Sequence, residues 1–160
     1  VDRMERLTED LLSLARDVDG AEMTRNVDLS EVAEECWRNV RTEDAELNVE
    51  TDGSITADEG KLRLMLHNML RNSVEHGGDV TVTVSDTDDG FRIEDDGPGM
   101  SEEERERVFE PGYSTSDEGT GLGMYIAQQV AQAHGWNVDV MEGSDDGAVF
   151  DVTDVERNGG

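Results

Sequence analysis

Residues 80–84 read VTVTV, and this alternation constrains the fold more than any other stretch of the chain. Period-two alternation places Val80, Val82 and Val84 on one face of a strand and the threonines on the other, so one face is covered and the other wet. The run DTDDG turns the chain into a second strand at 91–95. A sheet with one apolar face needs a second layer, and helix-period segments are present to supply it. Asp28 and Glu31 form a capping-box pattern opening a helix to about Arg41, with Leu29, Val32, Ala33, Cys36, Trp37 and Val40 as its apolar stripe. A second helix spans about Asp58 to Glu75, with Leu62, Met65, Leu66, Met69 and Val74 turned inward. A third covers 121–134 and stops at Gly135. Further strands are expected at 47–51, 137–141 and 147–153. This order predicts an α+β fold, a two-layer α/β sandwich with a mixed, largely antiparallel sheet and helices on one face.

Ahead of this unit, Met4, Leu7, Leu11, Leu14 and Val18 recur at steps of three and four, the spacing of a heptad seam. We read 1–19 as the end of a helix that pairs outside the chain, 20–27 as a linker, 28–155 as the folded domain and 156–160 as a flexible tail. The chain begins at Val1, which suggests a piece of something longer.

Forty acidic residues stand against 13 basic ones, for a formal net charge of -27, and Lys61 is the lone lysine. Such acidity excludes nucleic acid as a partner, because phosphates are repelled. The carboxylates run along the whole chain, so they are not an acidic tail. They suit a protein built for high salt, since at about 1 M the Debye length falls to roughly 3 Å. An acidic interaction module is the alternative. Cys36 is alone, so no disulfide forms within the chain, and a cytoplasmic setting is expected. No run of 18 apolar residues is present and no signal peptide is seen, which leaves a membrane-anchored parent open.

Three stretches carry chemistry. In NMLRNSVEH, Asn68, Asn72 and His76 fall at i, i+4 and i+8 on one helix face. That face is either solvated or a row of amide oxygens offered to a hydrated magnesium ion, which prefers oxygen ligands. In GTGLG, the glycines at 119, 121 and 123 precede and enter a helix, where unpaired N–H groups and the macrodipole attract phosphate. In FRIEDDGPGM, a strand ends in two aspartates and a glycine-proline-glycine turn. The long stretch between the last two, about 100–118, is a lid over a ligand or a surface insertion, with a short helix at Glu102 to Val108.

The order of these stretches resembles the ATP-binding catalytic domain of sensor histidine kinases, in the superfamily that includes type II topoisomerases and mismatch-repair ATPases. NMLRNSVEH is similar to the family's N box, DDGPG to its first glycine box, VFEPGYST to its F box and GTGLGM to its second glycine box. RMERLTEDLLSLAR resembles the end of the second dimerisation helix. The resemblance implies that Asp95 accepts a hydrogen bond from the adenine amino group, a charge-assisted bond of about 1.5–3 kcal/mol. Gly97 and Gly99 let the chain turn beneath the base. Asn72 is the implied magnesium ligand, with Asn68 on the phosphate side and His76 near the nucleotide. Tyr113 and Thr115 of the F box, and Gly119, Thr120, Gly121, Leu122 and Gly123 of the second glycine box, complete the implied ATP site. Residue 75 is often basic in the family and contacts phosphate; here it is Glu75.

The implied function is a histidine protein kinase domain of a two-component system. It would bind Mg–ATP and pass the γ-phosphate to a histidine on a dimerisation helix, in a homodimeric parent that signals to a response regulator receiver domain. A module that only binds ATP or relays signals is the alternative, as is a superfamily ATPase. The topoisomerase branch carries a water-activating glutamate where this chain has Asn68, and an amide is no base. None of the three histidines is placed as an acceptor: His67 points toward the core side, His76 lies in the site, and His134 closes a helix, where a cation favours the dipole.

With a formal charge of -27 to screen, the melting temperature is expected to rise steadily across a salt series. A melt insensitive to salt would favour the interaction-module reading.

Overall fold

The computed structural model describes residues 24–40, 44–51, 53–77, 80–97, 99–110, 123–142 and 147–158. The expected helix at 1–19 lies outside them.

The main sheet has five strands, in the spatial order β2 (Glu46–Glu50), β4 (Thr81–Asp86), β5 (Phe91–Asp95), β7 (Ala148–Thr153) and β6 (Asn137–Glu142). The β2–β4 pair is parallel, with Leu47 opposite Val82, and the other three pairs are antiparallel. The sheet is therefore mixed and largely antiparallel. Register carries the alternation across it: Val84 lies opposite Ile93, Ile93 opposite Phe150, and Phe150 opposite Val140. Val82, Val84, Phe91, Ile93, Phe150 and Val152 are buried on one face. Thr81, Thr83, Ser85, Arg92, Glu94 and Asp151 occupy the other face and keep contact with solvent.

Three helices cover the apolar face. A parallel strand pair needs a crossover, and α2 (Glu59–Gly77) lies within the β2-to-β4 connection. This helix packs against both α1 (Leu29–Arg38) and α4 (Gly123–His134), and also meets β5. That central position explains its wide apolar arc, in which Leu62, Met65, Leu66, Met69 and Leu70 are all fully buried. Burial of each such side chain contributes roughly 1.5–3 kcal/mol. No helix among the described residues is long and apolar enough to cross a membrane.

Local chemistry sets the helix ends. Asp28 caps α1, its Oδ1 accepting from Ser30 N at 3.0 Å and Glu31 N at 3.3 Å. The helix stops at Arg38, short of Arg41, and Trp37 is half-buried rather than in the core. Asp58 precedes α2 and accepts from Lys61 N at 3.1 Å. A reciprocal Ser101–Glu104 capping box opens the short α3 (Glu102–Arg107). At the end of α4, Gly135 takes φ 80°. Trp136 N then donates to Ala131 O and Gly135 N to Gln132 O, closing a Schellman motif.

A second sheet differs from expectation. The strands β1 (Thr24–Asp28), β3 (Ser54–Ala57) and β8 (Arg157–Asn158) pair antiparallel, with β3 in the middle. The expected linker at 20–27 thus gives residues 24–27 to a strand, and the expected tail gives up residues 157–158. β3 and β8 are short, β1 carries a register break between Thr24 and Val27, and their partners are far away in sequence. Val27, Ile55 and Ala57 are buried and seat this sheet on the core.

His134 also departs from expectation: it is a neutral acceptor, not a helix-end cation. Asp58 N donates to its Nε2 at 2.9 Å, while its Nδ1 lies 2.8 Å from Val130 O. Nδ1 must therefore carry the proton. The ring stacks on Trp136 at a centroid distance of 4.0 Å. Burial holds the imidazole pKa below its ordinary 6.5; the Val130 carbonyl and Asp58 oppose that shift, and Lys61 adds to it. A depressed folded-state pKa means the unfolded chain takes the proton more readily. This contribution to stability is full above 6.5 and is lost as the pH falls below 6.5 towards the folded-state value. His134→Phe is expected to lower stability by about 1–3 kcal/mol, because Asp58 N–H loses its acceptor. It should also flatten the pH dependence of denaturant midpoints in that window.

Candidate functional site

The two aspartates that end β5 have opposite tasks. Asp95 follows Phe91 and Ile93 on the buried face and is 5% exposed. A carboxylate so enclosed needs donors. Its Oδ1 accepts from Gly97 N at 3.0 Å, across the turn, and from Ala148 N at 3.3 Å, at the start of β7. Asp96 is exposed, and its Oδ1 accepts from Thr81 N at 2.8 Å, tying the turn to the start of β4. Gly99 takes φ 74°, a conformation that favours glycine. Gly147 is required by close approach, since a Cβ there would run into the Asp95 carbonyl oxygen. Sequence reasoning missed Gly147 and Ala148. The glycine directly before the buried strand AVFDV was the available signal.

On the helical layer, α2 and α4 pack along their length, and two of their contacts bear on the site. The Asp58–His134 bond joins the start of α2 to the end of α4. About ten residues further along α2 and about eleven back along α4, at a rise of about 1.5 Å per residue, Asn68 meets Gly123. A Cβ on Gly123 would lie 3.3 Å from Asn68 Oδ1 and 3.6 Å from Arg71 Nη2. The helices run antiparallel, the first contact at the start of α2 and the second near its middle.

Asn68 is 2% exposed, and its amide is used inside the protein. Its Nδ2 donates to Leu64 O at 2.8 Å, and its Oδ1 accepts from Arg71 Nη2 at 3.0 Å. It is therefore not an outward-facing member of an amide row. Asn72, one turn on, differs: its Nδ2 is buried without a hydrogen-bond partner. An amide left unmatched inside the protein fits a group reserved for a ligand.

Of the other residues anticipated from sequence, His76 lies on α2, but its side chain falls outside the described residues. Tyr113, Thr115, Gly119, Thr120, Gly121 and Leu122 also lie outside them, as does the latter part of the expected lid, 111–118; α3 occupies part of the rest as foreseen.

The model of the family described as "Histidine kinase-, DNA gyrase B-, and HSP90-like ATPase" matches residues 57–156, from the end of β3 to the edge of β8. The chain belongs to this family. Sensor histidine kinase ZraS of Klebsiella oxytoca is 31% identical over 93% of the chain. The chain spans 35% of that kinase's length, about a third. Among solved structures, full-length ShkA in complex with AMPPNP superposes with a TM-score of 0.76, at 30% identity, covering 99% of this chain and 37% of ShkA. Mycobacterial sensor histidine kinase MprB gives 0.68, at 26% identity, covering 86% of this chain and 97% of that one. Within the histidine kinase-, gyrase B- and HSP90-like ATPases, this is an ATP-binding catalytic domain of the sensor histidine kinase kind.

Gly147→Ala is expected to destabilise the domain by about 1–3 kcal/mol or more, because backbone must move to accommodate the new Cβ. ATP affinity should fall with it, since Ala148 N–H would no longer hold Asp95. Thermal melts and calorimetric ATP titration check the two effects.

Proposed function

We propose that this domain binds Mg–ATP and donates the γ-phosphate to a histidine on a dimerisation helix, in a two-component sensor kinase. The observation that carries the reading is the Asp95 carboxylate, which is buried on the core face and oriented by two backbone donors through Oδ1. Its other oxygen is the acceptor we assign to the adenine amino group. Gly97 and Gly99 shape the turn below the base, and Gly123 begins a helix whose first N–H groups suit phosphate. Among the described residues, no group of three His, Cys, Asp or Glu side chains could hold a metal ion. A cation here would rest on amide and phosphate oxygens, as magnesium readily does. Asn72 would hold it through its amide oxygen, while the unmatched Nδ2 donor suits an acceptor oxygen of the nucleotide. The ion would neutralise charge on the transferring phosphoryl group.

Transfer is favoured over hydrolysis. The position for a water-activating carboxylate is Asn68, whose amide is engaged at both ends and has no basic lone pair. A homodimeric parent joined through the heptad segment, a response regulator receiver domain as the next acceptor, a cytoplasmic setting and a high-salt milieu all belong to this proposal.

The test supplies the chain with a separate acceptor helix pair and Mg–ATP. Acid-labile phosphohistidine is expected on the helix and none on the chain. Asn72→Ala should lower transfer at least about tenfold, and Asp95→Asn should weaken ATP binding by about tenfold or more, the loss of roughly 1.4 kcal/mol. Rapid Mg²⁺-dependent phosphate release by the chain alone, without transfer, would overturn the reading in favour of an ATPase.

A further inference from the structure

The main sheet ends on β6, and no strand among the described residues pairs with its outer edge. Edge strands are ordinarily blunted by brevity, proline, lysine or a bulge. None of these protects β6: NVDVME runs for six residues in unbroken register, from Asn137 opposite Thr153 to Glu142 opposite Ala148. At the other edge, β2 is shorter, carries glutamate at both ends and packs against α1.

Both faces of the sheet break off unfinished at β6. On the core face, the row Val84, Ile93 and Phe150 ends at Val140, and the row Phe91 and Val152 ends at Val138. The earlier members are fully buried, whereas Val138 and Val140 are half-buried. On the outer face, Glu94 and Val149 lead to Met141, which at 40% exposure is the exposed large hydrophobic side chain among the described residues. The neighbouring row runs Ser85, Arg92, Asp151 and Asp139. Arg92 Nε lies 3.5 Å from Asp151 Oδ1. Asp139 is exposed, stands opposite the like charge of Asp151, and pairs with no cation among the described residues. Like charges directly opposite on neighbouring strands are destabilising. A cation on the far side of Asp139 would complete the row, one for each carboxylate.

We propose that the β6 edge docks an extended segment of a partner protein, which adds to the sheet as a further strand. The segment carries lysine or arginine opposite Asp139 and apolar residues opposite Val138 and Val140. Main-chain hydrogen bonds give the affinity of such an addition, and alternate side chains give its specificity. The occupant is a different protein, because two copies of this chain would bring together their Asp139 carboxylates and two net charges of -27. The proposal does not rest on the reading of the ATP site.

The probe is a synthetic peptide with the core VVKVT flanked by serines, followed by titration and by amide hydrogen exchange of the chain. Added protection is expected at 137–142. Asp139→Lys should weaken binding at least about two- to fivefold, and a VVEVT peptide should bind that variant better than the wild type. If Asp139→Lys does not fold, Asp139→Asn is read for the same weakening. A VPKPT peptide keeps the charge but cannot pair as a strand, and should not bind. Equal binding of VPKPT and VVKVT would mean general attraction to an acidic chain and would overturn the proposal. Protection away from 137–142, or no binding of VVKVT, would overturn it too. A wild-type dimer in sedimentation that protects 137–142 without peptide would make a second copy the occupant and overturn the choice of partner.

Discussion

A carboxylate enclosed at the end of a central strand sets demands that much of the domain meets. Asp95 continues the row of Phe91 and Ile93 into the core face, where an ion without donors would be costly. Two backbone N–H groups hold it, one from the turn after β5 and one from the start of β7. Reaching the second requires the two strands to come closer than any side chain at residue 147 would allow, hence Gly147. The first requires a tight turn, which Gly99 completes at positive φ. One side chain thus links a strand end, a turn and a neighbouring strand. The same tethering fixes the direction of the carboxylate.

The helical layer makes the complementary half. The antiparallel α2 and α4 are bound at one end by Asp58 N–H to His134 and meet at the other through Asn68, Arg71 and Gly123. Packing along the length of the pair holds it together between these points. The end bearing His134 is pH-sensitive because the imidazole must stay neutral to accept; the other end is where phosphate is proposed to sit.

Much of this was legible in the residues. VTVTV and FRIED announced half-buried strands, the stripes on α1 and α2 announced their inner faces, and Gly135 marked the end of α4. The motif order named Asn68, Asn72 and Asp95 as candidates for one site. Other features were not legible. The small sheet of β1, β3 and β8 is built from strands of two to five residues drawn from both ends and the middle of the domain. β3 and β8 are too short for alternation to show, and a register break interrupts it in β1. His134 read as a helix-end cation because the dipole is a local effect, whereas its acceptor role depends on a backbone N–H 76 residues away.

By itself, the sequence determined the periodicities, the turn chemistry, the charge and the order of the motifs, and with them the family. These follow from the residues' own geometry and their near neighbours. The tertiary structure decided which amide points where. Asn68 and Asn72 are the same residue type one turn apart on one helix. One is consumed by Leu64 and Arg71, and the other is left with a buried, unmatched nitrogen. Asn68 is engaged by its own helix, at Leu64 and Arg71, and which of the two amides is enclosed depends on how α4 packs against that helix.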